Sequence, residues 1–133
     1  MTHLDSATLE AQKHRLRERA AHLRDEIVDT LERSDDESYA QIAGQVRDRE
    51  DASFADLVVD VNLSEVDRDV GELRAIDEAL LRIKDGRYGV CDECGGEIRQ
   101  ARLEAEPTAI RCIRCQELWE QNQSQARPRP STL

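Results

Sequence analysis

Cys91 and Cys94 form one Cys-x2-Cys pair, Cys112 and Cys115 form a second, and the chain of 133 residues holds no other cysteine. Two intervening residues let both thiols of a pair face one ion. Four thiolates complete the tetrahedral shell of Zn2+ and leave no coordination position for a substrate. The 17 residues between the pairs fall within the spacing of a zinc site built from two such pairs. A disulfide reading needs an oxidising compartment, yet no apolar signal segment precedes the polar N-terminus. A thioredoxin-like redox reading needs one Cys-x-x-Cys beside a βαβ pattern, which is absent. The expectation is one structural Zn2+ per chain, held by Cys91, Cys94, Cys112 and Cys115.

Other chemistry-bearing residues read as surface or support. His14, Glu18 and His22 share a helical face at fourfold spacing, as a solvated face does. Arg99, Arg102, Arg111 and Arg114 offer a basic face for phosphate or acidic protein, or simply offset Glu97, Glu104 and Glu106. Gly95-Gly96 gives the backbone freedom to turn around a metal and aim amides at sulfur. Ile98, Leu103, Ile110 and Trp119 are the expected small core around the site. No Ser/His/Asp set is evident, so the chain is not expected to be an enzyme.

The elements that position these residues must be unusual, because charged residues reach 36% and aromatics only 3%. Composition this polar either stays disordered or forms long helices that bury a narrow seam. No apolar run approaches the ~20 residues of a membrane span, so no membrane partner is expected and the cytoplasm is the expected compartment. Leu9, Leu16 and Leu23 recur every seven residues with Ala20 and Ile27 interleaved; Val66, Leu73 and Leu80 do the same, joined by Ile76 and Ile83. These are coiled-coil seams.

Ser34-x-x-Glu37 reads as a capping box that restarts a helix after a break at Arg33. Ser64-x-x-Asp67 is a weaker start, and Asp85-Gly86 a stop. Reversal near residue 50 would make residues 8–46 and 54–86 antiparallel arms of similar length, an arm of ~33 helical residues being about 50 Å long. The other arrangement is a three-helix bundle with the same residues as core. The expected fold is therefore mostly α. A helical coiled-coil hairpin spans 1–86 with an acidic tip near 44–64, a four-cysteine module with a C-terminal helix spans 87–120, and a disordered tail follows at 121–133.

Charge is concentrated at that turn: residues 34–69 hold 3 basic and 11 acidic residues, or −8 of the chain's −10. Such a field repels phosphates and suits a basic protein channel or a metal ion.

Tyr88-Gly89-Val90-Cys91-Asp92-Glu93-Cys94-Gly95, followed by Arg102-Leu103-Glu104-Ala105, Pro107-Thr108-Ala109 and Cys112-Ile113-Arg114-Cys115-Gln116, resembles the zinc finger of the DksA/TraR family of bacterial transcription regulators. The resemblance covers about residues 85–120, and extends more loosely into the coiled coil. It implies a protein that binds RNA polymerase directly, passes its coiled coil into the secondary channel, and modulates initiation without sequence-specific DNA contact. The family's acidic tip pattern D-x-x-D-x-A falls on Asp48, Asp51 and Ser53, with Ala52 one residue earlier. A basic shaft position that holds polymerase falls on Arg68. The positions that would bind the alarmone ppGpp fall on Glu72, Ala75, Glu106 and Gln116, none of them basic, so a shared ppGpp site is not expected. Two other functions remain: a zinc-ribbon DNA-binding protein, which the acidic pI of about 4.8 opposes, and a Gre-like factor whose tip acids hold a second Mg2+ in polymerase and promote transcript cleavage.

Overall fold

Asp5, just ahead of the first seam, accepts a hydrogen bond from the Thr8 amide at 2.8 Å, which satisfies one of the orphan donors of a helix start. In the computed structural model, which describes residues 3–49, 56–58 and 60–126, α1 then runs Ser6–Arg33. At about 1.5 Å per residue its 28 residues span about 42 Å. The remaining helices are α2 (Glu37–Arg47), α3 (Ser64–Lys84), α4 (Gln100–Ala105) and α5 (Ile113–Ala126). None of the described helices is long and apolar enough to cross a membrane.

The seam pairs α1 with α3 in antiparallel sense. Leu16, Leu23, Ile27 and Leu31 are buried with Val66, Leu73, Ile76 and Ala79, while Leu9, Leu80 and Ile83 close the edge half-buried. Two cross-helix ion pairs mark the register: Arg19 with Glu72 near the middle and Arg33 with Glu65 at the far end. At the near end α3 stops as expected. Asp85 caps it, Gly86 takes φ 74°, and the Arg82 carbonyl accepts from the amides of Arg87 and Tyr88.

The far end differs from two long matched arms. The expected break after Arg33 is there, but Asp36 caps α2 in place of Ser34, accepting from the Ser38 amide at 2.9 Å and its hydroxyl at 2.6 Å. A carboxylate is favoured there because it meets the positive end of the helix dipole. Beyond the break α2 does not prolong α1; it turns back and packs across it, burying Ala43 and Val46. Arg47 pairs with Glu32, and Arg24 donates to the Arg49 carbonyl at 3.0 Å. The arms are thus α1 and α3, and the far end packs a third helix on α1.

The expected irregularity before Ser64 is present. Residues 56–58 form a short 3-10 turn that buries Val58, and Val61 is buried next to it. Ser64 sits inside the first turn of α3, with Leu63 as cap and no side-chain cap bond. At the other end α5 continues past the boundary expected at residue 120, to Ala126.

Leu23 is fully buried in the α1–α3 seam. Leu23→Ala is expected to cost about 2–5 kcal/mol, the transfer and cavity cost of such a truncation, read by urea denaturation followed through helical circular dichroism. A loss below about 1 kcal/mol would mean that the seam does not hold the arms together.

Candidate metal centre

Just beyond α3 the chain makes a knuckle closed by a single antiparallel bridge between Val90 and Glu97. The Cys91 amide donates to the Gly96 carbonyl at 2.7 Å, and the Gly95 amide to the Cys91 carbonyl at 3.0 Å, which bends the chain around the first thiol pair. Gly95 takes φ 72°, a conformation side chains disfavour. The Gly96 amide lies 3.4 Å from Cys94 Sγ, as a donor to a thiolate. Cys112 precedes α5 and Cys115 lies in its first turn, where the helix dipole favours negative sulfur.

These elements bring all four Sγ atoms within 4.8 Å of one another, and Cys94 and Cys112 to 4.0 Å. Four Zn–S bonds of about 2.3 Å in a tetrahedron place sulfurs about 3.8 Å apart. A disulfide would need about 2.05 Å, and all four cysteines are free thiols. The electrostatics agree. Burial pushes the Cys91 thiol up, but backbone amides of Cys94, Cys112 and Glu93 outweigh it and bring the thiol to about 6. Cys115 is pushed up to about 12, first by its hydrogen bond to Cys112 and then by burial and the other two sulfurs. Cys91 ionises readily because amides face it, while Cys115 resists because neighbouring sulfurs hold its proton. Four thiolates this close repel unless a divalent cation sits among them, so the residues fit one Zn2+ in a closed site of four thiolates.

Two polar joints fix the module to the helices. Gln12 of α1, only 3% exposed, donates to Tyr88 Oη at 3.1 Å and to the Leu103 carbonyl at 2.8 Å. Tyr88 Oη in turn donates to the Pro107 carbonyl at 2.8 Å, and its burial pushes its ionisation upward. The second joint is Arg82 of α3, which donates to Asp92 Oδ1 at 2.9 Å, inside the first cysteine pair, and holds that carboxyl below the usual range. Its buried Nε lies 3.4 Å from Glu78 as a charge contact without hydrogen-bond geometry. Neither joint was foreseen from sequence. Gln12 had a trace, as a polar residue three after Leu9 and four before Leu16 in the seam.

The expected core is partly corrected. Ile98 and Leu103 are buried and Ile110 is half-buried, but Trp119 is 39% exposed, with the Arg111 guanidinium 4.6 Å from its ring centre. Arg102 and Arg111 pair with Glu106 and Glu93, the offsetting arrangement. His14 and His22 lie 3.0 Å from Glu18 and Glu26 on an exposed face.

Of the expected polymerase-contacting residues, Asp48 is exposed and caps the end of α2 beside α1, and Arg68 is exposed in the second turn of α3. Asp51, Ala52 and Ser53 lie outside the described residues. Glu72 is held by Arg19 through two hydrogen bonds of 2.6 and 2.9 Å.

Residues 86–121 match the prokaryotic dksA/traR C4-type zinc finger family. The RNA polymerase-binding transcription factor DksA of Escherichia coli K12 is 34% identical over 103 residues, 77% of this chain and 65% of that protein. The protein of that name from Caulobacter vibrioides is 34% identical over 107 residues, 80% of this chain and 64% of that protein. The chain thus spans just under two thirds of these relatives' length. Transcription factor DksA2 from Pseudomonas aeruginosa shares the fold with a TM-score of 0.60 and 28% identity, over 92% of this chain and 90% of that one.

Cys91→Ser is expected to abolish the single tightly bound Zn2+ and to collapse amide dispersion across about residues 88–118, because structural zinc contributes on the order of 10–16 kcal/mol that becomes folding energy. Much of α1 and α3 should remain helical. Metal analysis with NMR spectra of both forms checks this, and unchanged dispersion in the zinc-free variant would contradict it.

Proposed function

The chain belongs to the DksA/TraR C4-type zinc finger family, and on that premise we propose that it is a transcription regulator that binds RNA polymerase directly. The paired α1 and α3 enter the secondary channel, the zinc module seats at its mouth, and the acidic residues that follow α2 modulate initiation. The observation that carries this reading is the reach of the likeness: relatives named RNA polymerase-binding align over 77% and 80% of the chain, well beyond the zinc finger and into the helices.

Charge supports the same reading. The −8 carried by residues 34–69 suits a basic protein channel and opposes promoter phosphates. In this proposal Arg68 supplies a shaft contact, and Asp48 and Asp51, with Ala52 and Ser53, act near the polymerase's catalytic region. The four thiolates close the zinc's coordination, so the metal offers no catalytic position and the protein acts as a regulator, not an enzyme. An alarmone site shared with polymerase is not part of the proposal. Glu72 is already engaged by Arg19, and Ala75, Glu106 and Gln116 carry no positive charge.

Retention of core RNA polymerase by the immobilised protein tests the reading, together with run-off transcription. Arg68→Ala should weaken binding roughly tenfold, the worth of about 1.5 kcal/mol for a charge-assisted contact. Asp48→Asn and Asp51→Asn should leave binding nearly intact and abolish the transcriptional effect. Equal losses of binding from all three changes, or no retained polymerase, would contradict the proposal.

A further inference from the structure

The contact between α2 and α1 decides where Asp48 lies, and its fully buried part is small. Of the eleven residues of α2 only Ala43 and Val46 are buried, flanked by half-buried Tyr39 and Ile42. A helix of this length is marginal alone and depends on what it packs against. Polar contacts surround that stripe. Arg47 pairs with Glu32 with side chains 55% and 39% exposed. Arg24 reaches the Arg49 carbonyl. A cleft lined by Arg24, Asp25, Val28, Asp29, Glu32 and Arg47 remains open between the helices. Exposed pairs of this kind are worth little each and are screened by salt.

The pivot is equally permissive. Ser34 and Asp36 sit in ordinary extended conformations, φ −75° and −83°, that no glycine or proline enforces. Tyr39, Ile42, Ala43 and Val46 repeat at the 3–4 spacing of the α1 seam, so the stripe that docks on α1 can serve a second packing as well.

We propose that α2 is an autoinhibitory arm: docked across α1 it holds Asp48 back beside the helical pair, and pivoting at residues 34–36 it swings Asp48 out beyond the end of α1. The consequence rests on the polymerase reading above; the docking does not. Released and in line with α1 as one continuous helix, the 15 residues from Arg33 to Asp48 carry that carboxylate about 22 Å past Arg33. That extends the acidic end to the reach the seam pattern assigns to an arm ending near residue 46. Rising salt favours release by screening Arg47–Glu32, and a basic channel favours it by attracting Asp48.

The test uses the full zinc-loaded chain with nitroxides attached through p-acetylphenylalanine at the exposed positions Ala21 and Gln45, which spares the four cysteines. A continuous helix would separate these positions by about 36 Å. The native chain should give a main distance well short of that. Arg47→Glu, which sets two carboxylates against each other, should move the distribution toward it and strengthen the run-off transcription effect of sub-saturating protein about five- to tenfold. The swap Arg47→Glu with Glu32→Arg should restore both the short distance and the native transcriptional effect, which separates docking from any direct contact by Arg47. A distance unmoved by Arg47→Glu, or a moved distance with an unchanged transcriptional effect, would overturn the inference. A native distance already near the ~36 Å of a continuous helix would overturn docking alone. Failure of every form, the native included, to bind polymerase would overturn the polymerase reading and with it the inhibitory role, while the docked distance would stand.

Discussion

Four sulfurs within 4.8 Å of one another cannot all carry negative charge unless a cation sits among them, and the near end of the molecule depends on that constraint. The module around them has almost nothing else to fold on. One bridge closes the knuckle, α4 has six residues, and Ile98 and Leu103 are its fully buried aliphatic side chains. Metal binding therefore stands in for a hydrophobic core, as it does in small domains generally. Against its burial, backbone amides draw Cys91 down to about 6, whereas its hydrogen bond to Cys112 and burial push Cys115 up to about 12, so the four thiols do not ionise together without an ion.

What the metal organises is passed to the helices by hydrogen bonds. Gln12 joins α1 to Tyr88 and the Leu103 carbonyl, and Arg82 joins α3 to Asp92 between the first two cysteines. Each arm thus has its own tie to the module, so the module is held at a set angle to the pair. Buried polar groups of this kind stabilise little on balance but are costly to leave unpaired, which makes them fix geometry more than energy. A fixed base with an acidic far end suits the proposed entry into a basic channel.

The cysteine pairs were legible in the sequence because ligand spacing within a pair is local. The seam of Leu16, Leu23, Val66 and Leu73 was legible because a narrow core in so polar a chain leaves a clean sevenfold repeat. The break after Arg33 was visible too, though which residue caps α2 was not, since Ser34 and Asp36 both qualify. The direction of α2 after that break was hidden. Its stripe fits α1 or a longer arm alike, and only tertiary contact at Ala43 and Val46 decides. Gln12 and Arg82 were obscured for another reason, because a polar residue in an apolar seam reads as a gap unless its partners, distant in sequence, are known. Trp119 was read as core, whereas it lies 39% exposed with the Arg111 guanidinium over its ring.

In the proposed complex both the zinc-anchored shaft and the acidic segment lie against RNA polymerase. The most direct test is photocrosslinking of p-benzoylphenylalanine placed at Arg68, and separately at Asp48, in a complex with core polymerase. Adducts from both positions are expected within the secondary channel, with those from Asp48 deeper than those from Arg68. Adducts confined to promoter DNA, or to the outer surface of polymerase, would contradict that placement.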